Sequence, residues 1–144
     1  SASVSWGRRS VSETNISSPY ISPRYARMLT DKSKEGIRVR VLTWIPKPGE
    51  ENLNEYRYHM ESLKILKESA DENLEVRVTN RLHAKMYIID GKTAVTGSAN
   101  LTERGMYGNY EHIDIKLDPE SVSEISTQFD KFWSTSKDIR QIDI

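Results

Sequence analysis

The sequence predicts an α/β domain, a mixed β-sheet flanked by helices. Three observations lead there. Runs of alternating branched and polar residues, at 37–44 and 74–78, take turns with runs whose apolar residues recur at helical spacing. The chain has 144 residues, about one domain, with little room for a second. Its 36% apolar and 29% charged residues suit a globular domain with a modest core.

Each element has its own signal. Residues 11–22 carry a weak extended pattern that ends in Ser17-Ser18-Pro19-Tyr20-Ile21-Ser22-Pro23. Pro23 suits the first turn of a helix that runs to Gly36, a helix stop. Ile37, Val39 and Val41 alternate with Arg38 and Arg40, as in a strand. Pro46-Lys47-Pro48-Gly49 breaks the chain, and Leu53, Tyr56, Met60, Leu63 and Leu66 then mark a helix. Leu74, Val76 and Val78 mark another strand. After the 82–100 segment, a flexible loop with Gly105 and Gly108 leads to a strand over 111–117. Asp118-Pro119 reads as an N-cap followed by proline at the first helical position. Val122, Ile125, Phe129, Phe132 and Trp133 form the apolar stripe of a last helix.

Composition removes several function classes. No apolar run approaches the ~20 residues of a membrane-spanning helix. The absence of cysteine excludes disulfides, thiolate metal sites and thiol nucleophiles. Residues 1–10 lack the apolar core of a secretory signal, which sets the expectation of a cytoplasmic protein. They read as a tag junction or a cut within a longer chain, with 11–144 as a single domain. The 21 basic residues equal the 21 acidic ones, so no global bias toward nucleic acid exists. Locally, however, Arg24, Arg27, Lys32, Lys34, Arg38 and Arg40 outnumber Asp31 and Glu35, a flank suited to a phosphate-bearing ligand.

The chemistry concentrates at 82–100. Leu82, Ala84, Met86 and Ile88 alternate toward a core, which puts His83, Lys85 and Tyr87 on the opposite face. Asp90-Gly91 is a preferred two-residue hairpin turn. Such a turn pairs Ile89 with Lys92, and therefore His83 with Ser98, Lys85 with Thr96 and Arg81 with Asn100. Directly opposed side chains have Cβ atoms about 4.5–5.5 Å apart. An imidazole, an ammonium, a hydroxyl and an amide then share one patch. Lys85, Ser98 and Asn100 can donate to phosphate oxygens, and Gly97 lets backbone approach an anion. His83 is the strong nucleophile or proton carrier of the set.

His83-Ala84-Lys85, then Asp90 after four residues, then Gly97-Ser98-Ala99-Asn100, form an HxKxxxxD…GSxN pattern. On those residues the chain resembles the phospholipase D superfamily. The likeness continues through Leu101-Thr102 to Glu111 and takes in Phe129 and Trp133. It implies an α-β-α sandwich and metal-independent, two-step phosphodiester cleavage with no cofactor. One histidine attacks phosphorus, a second protonates the leaving alcohol, and water resolves the phosphohistidine. Carried over, His83 is nucleophile or acid, Lys85 and Asn100 are phosphate ligands, Ser98 is a supporting donor and Glu111 orients His83. Asp90, at the hairpin turn, is expected to be structural.

Two histidines are needed and one motif copy is present. His59 lies in a helical pattern as a surface or packing residue, and His112 alternates to the other sheet face. A homodimer in which both chains supply His83, Lys85 and Asn100 is the expected solution. Small single-motif members of the family are mostly nucleases, so nucleic acid is the expected substrate. Arg81, Tyr20, Arg38 and Arg40 are its candidate binding residues, with Trp44 and Tyr107 as further stacking candidates. A non-catalytic nucleic-acid binding module and a phospholipid hydrolase stay open as alternatives.

Overall fold

The computed structural model describes residues 11–108 and 111–144, so the reading of residues 1–10 lies outside the described residues. The predicted fold class holds. Strands β1 (Glu13–Ser18), β2 (Arg38–Trp44), β3 (Leu74–Thr79), β4 (Met86–Ile89), β5 (Thr93–Gly97), β6 (Ile113–Lys116) and β7 (Lys137–Asp138) build one mixed sheet. Its spatial order is β6-β5-β4-β1-β2-β3-β7. β1, β2 and β3 are parallel and the other pairings antiparallel. The short β7 on the outer side of β3 had no signal in the sequence.

Helices α1 (Pro23–Lys34) and α2 (Arg57–Ser69) cover β1–β3 on one face. Their buried stripes, Tyr25, Ala26 and Leu29 with Met60, Leu63 and Leu66, meet Ile16, Val41 and Val76 of the sheet. α1 starts at Pro23 as expected, and Gly36, at φ 100°, lets the chain turn back into β2. α3 (Pro119–Ser134) covers the other face. It opens on Asp118, whose carboxylate accepts from the Ser121 N–H at 3.0 Å. Its Val122 and Phe129 pack on Leu42, Leu82, Met86, Ile88 and Ala94.

Among the described residues, α1 and α2 leave the β5–β6 end of one face uncovered. Val76, Val41, Ile16, Tyr87, Val95 and Ile115 form a single row across six strands. α1 and α2 shelter only its β1–β3 half. At the far end Ile113, Ile115 and Leu117 are 53%, 60% and 68% exposed.

The hairpin differs from expectation by one residue. Lys92 N–H still closes the turn on the Ile89 carbonyl at 3.0 Å, but Ile89 pairs with Thr93 and Met86 with Thr96. Asp90 and Gly91 take φ of 53° and 63°, and Lys92 is the extra residue. A two-residue turn would aim Ala94 away from α3. The shifted register buries Ala94 completely against α3, and core packing decides the pairing. The ladder also stops at Met86 and Gly97, so residues 82–85 and 98–100 leave it as irregular chain. The expected pairs His83–Ser98, Lys85–Thr96 and Arg81–Asn100 are therefore not formed.

Candidate active site

What the ladder does not bring together, the sheet edge does. β1 runs antiparallel to β4, so Ser17 pairs with Met86 and the chain just before Met86 lies at the C-terminal end of β1. Met86 in turn pairs with Thr96, and Gly97 with Ile113. His83, Lys85, Ser98, Asn100 and Glu111 thus gather on one edge. The chain winds from β1 outward through β2 and β3, then returns to the other side of β1 with β4. This is the topological switch point where open α/β sheets bind ligands.

Local bonds position each group. Asn100 Oδ1 accepts from the Tyr20 N–H at 3.3 Å and lies 3.4 Å from Ser18 Oγ. With its oxygen so engaged, the amide keeps its NH2 group as a donor. Ser18 Oγ also accepts from Leu101 N–H at 2.9 Å. Tyr87 donates its hydroxyl to the Ala99 carbonyl at 2.7 Å. Burial pushes the Tyr87 phenol up to about 12, keeping that donor protonated. Lys85 Nζ donates to the His83 carbonyl at 3.3 Å. The His83 imidazole is exposed and makes no hydrogen bond among the described residues.

Glu111 does not orient His83 here. It accepts from Ser98 Oγ at 2.6 Å, and the same oxygen accepts from His112 N–H at 2.9 Å. Ser98 is therefore already engaged as a donor. Gly97, at φ 151°, runs so close to β6 that a Cβ would lie 1.9 Å from the His112 carbonyl oxygen. Backbone approach at Gly97 thus serves strand contact. Gly105 does the same for Asn100, whose carbonyl oxygen would lie 2.2 Å from a Cβ there. The expected flexible loop is a single π-helical turn over Arg104–Gly108, seated by Gly105 N–H on Thr102 Oγ1 at 3.0 Å.

Other candidates lie elsewhere. Asp90 sits at the opposite edge, where its carboxylate accepts from Ser12 N–H, Ser12 Oγ and Glu13 N–H at 2.9–3.1 Å. Burial alone would raise its carboxyl, but these bonds and the Lys92 charge hold it below the usual range. It fastens the turn to the start of β1. Arg38 and Arg40 are corrections to the sequence reading. They open β2, about 13–20 Å from its C-terminal end at ~3.3 Å per residue. Arg40 is tied to Asn15 at 3.0 Å and Asp130 at 3.1 Å, over the rings of Phe129 and Trp133. Of the rest of the basic flank, Arg24 and Arg27 line the groove beside Tyr20, while Lys32 and Lys34 lie in the last turn of α1, away from the site. Arg81, which follows β3, and Tyr20, which follows β1, are at the site edge.

His59 is the residue the sequence undervalued. It is buried, with Nδ1 accepting from Ile21 N–H at 3.2 Å and Nε2 facing the Trp44 carbonyl at 2.6 Å. Those partners make Nε2 the protonated nitrogen. The ring also packs edge-on against Tyr20, with centroids 5.5 Å apart. His59 therefore ties the ends of β1 and β2 beneath Asn100. Burial pushes it below the ordinary imidazole range, the Trp44 and Ile21 bonds offsetting only part. An unfolded His59 binds a proton below about pH 6.5 that the folded chain refuses, so stability falls as pH drops through that value. Melting temperatures between pH 7.5 and 5.5 should decline, and His59→Gln should flatten the decline. An unchanged slope in His59→Gln refutes this.

Comparisons with known proteins agree with this fold. The family model for the cardiolipin synthase, PLD-like domain matches residues 8–133. A mitochondrial cardiolipin hydrolase of Mus musculus is 25% identical over 114 residues, covering 79% of this chain and 48% of its own. The chain spans about a quarter to a half of the length of the curated relatives it matches. Among solved structures, Nuc of Salmonella typhimurium, a phospholipase D family member, superposes with a TM-score of 0.67 at 18% identity. That match covers 90% of this chain and 83% of Nuc. TrmBL2, an archaeal chromatin protein with a novel mode of DNA binding, gives 0.60 at 16% identity over 89% of this chain and 45% of its own. With a family model matched over most of its length and the fold of that family, the chain belongs to the phospholipase D-like domain family.

Proposed function

We propose that the chain is a metal-independent phosphodiesterase that cleaves nucleic acid through a phosphohistidine at a site completed by a second copy. The observation that supports this reading is that His83, Lys85 and Asn100 all lie at the same end of the sheet, where Lys85 donates to the His83 carbonyl. Lys85 and Asn100 hold the non-bridging oxygens. His83 attacks phosphorus, a P–N bond forms, and the P–O bond to the leaving alcohol breaks. A second imidazolium gives that oxygen its proton, then takes one from the water that hydrolyses the P–N bond.

The second imidazole is supported as a partner's His83. His59 is buried with both nitrogens engaged. Alternation from Ile113 turns His112 toward the α3 side. The uncovered face of Ile113 and Ile115 is the one to which Tyr87 and Val95 belong by register, and the chain that carries His83 enters β4 at the end of that face. Two copies packed on this face about a two-fold axis along the strands would bring both site edges to the same end. Facing sheets stand about 10 Å apart, room for a phosphate between two imidazoles.

Nucleic acid is favoured by the DNA-binding chromatin protein that shares the fold. A phospholipid diester is the second reading, favoured by the name of the mouse relative. A bis-aryl phosphodiester and a single-stranded oligonucleotide should both be cleaved in excess EDTA. Activity lost to EDTA and restored by magnesium overturns the mechanism. Cleavage of cardiolipin vesicles with nucleic acid untouched transfers the site to lipid.

A further inference from the structure

A groove of about 750 Å³ opens at the same edge, against Arg81 and Leu82, immediately before His83. Its floor is apolar, with half-buried Ile45, Phe132 and Ile142. Its rim carries exposed Asn80, Arg81 and Lys137, and no carboxylate lines it. Among the described residues neither Arg81 nor Lys137 has an ion pair, whereas Arg40 and Arg140 are each bound to an aspartate. The other large groove at this edge, about 800 Å³ beside Tyr20 and Tyr58, is lined by Glu55, Glu61 and Glu103 together with Arg24, Arg27 and Arg104. Its charges offset one another, Arg27 meeting Glu61 at 3.5 Å, whereas the Arg81–Lys137 rim is basic throughout. The two grooves are therefore not equivalent for a nucleic-acid strand.

We infer that the Arg81–Lys137 groove is the subsite for an unpaired nucleotide adjoining the scissile phosphate, an assignment that rests on the nucleic-acid reading. Arg81 stands two residues from His83, at most about 7 Å along the chain, so a strand held at His83 must pass it. Arg81 and Lys137 meet the neighbouring phosphate. The apolar floor takes the face of a base, and Asn80 offers it an amide. The volume lies in the range of small-ligand pockets, about 300–1,000 Å³. A base must leave its duplex to enter such a recess, so single strands should be preferred.

The test uses the whole chain and three substrates: a single-stranded oligonucleotide, its duplex and a bis-aryl phosphodiester too small to reach the groove. The double variant Arg81→Ala, Lys137→Ala should raise KM for the oligonucleotide at least tenfold more than for the aryl ester. Binding of a non-cleavable oligonucleotide, read by anisotropy, should lose about 0.7 of salt slope per phosphate contact removed. Lys64→Ala, on the surface of α2, is the control for net charge. Equal effects on both substrates, or an unchanged salt slope, overturn the subsite while leaving the nuclease reading intact. If the wild-type chain turns over the aryl ester yet neither cleaves nor binds the oligonucleotide, the nucleic-acid reading fails and the subsite with it. Binding of a short-chain phospholipid that is lost in the double variant reassigns the groove to lipid.

Discussion

Replacing His83 with alanine should lower turnover of a bis-aryl phosphodiester by about a thousandfold or more, with the fold and the self-association unchanged. The ring is exposed and makes no hydrogen bond among the described residues, so its removal costs the structure little. On the proposed mechanism the variant loses both the attacking nitrogen and the proton donor, one in each half of a shared site. Groups that act as a unit are not additive, and losing one is nearly as costly as losing all. Mixed dimers with one His83→Ala chain should therefore be almost as inactive as the fully substituted ones. Half activity in the mixed dimer would show that each chain works alone. On the proposed mechanism one His83 is neutral while its mate is protonated, so activity against pH should be bell-shaped.

Placing carboxylates on the uncovered sheet face should separate the copies and silence the site together. Ile113 and Ile115 are more than half exposed in the single chain, so Ile113→Asp, Ile115→Asp leaves the fold's own core untouched. In a packed dimer the same two carboxylates would be buried without partners, at a cost of several kcal/mol each. Sedimentation should then give a monomer with unaltered circular dichroism and turnover lost to the level of His83→Ala. A variant that is monomeric and fully active removes the shared site. A variant that stays dimeric shows that the copies meet on another surface.

The elements were legible because local rules agree with the fold. Pro23, Gly36 and Asp118-Pro119 bound helices where the structure places them, and the alternation of Leu82, Ala84, Met86 and Ile88 names the face that α3 covers. His83, Lys85 and Asn100 stood out because an imidazole, an ammonium and an amide at that spacing have few other uses. The hairpin register was misread because turn chemistry was weighed without the core. Asp90-Gly91 closes its turn, yet burying Ala94 against Phe129 is worth a bulge at Lys92. Arg38 and Arg40 looked like a basic flank because strand direction is invisible in a charge count.

By itself, the sequence determined where the three helices and the strands other than β7 lie to within a few positions, which face of β4 turns inward, and which side chains are candidates for phosphate chemistry. All of these depend on neighbours a few positions apart. Only the tertiary structure decided that the site is a sheet edge at the β1–β4 switch point, that Glu111 meets Ser98, and that His59 braces Tyr20 and Trp44 from below. It also decided that, among the described residues, none of α1, α2 and α3 covers Ile113 and Ile115 of β6. Each of these depends on long-range pairing, whose outcome is set by how the whole core closes rather than by any local preference.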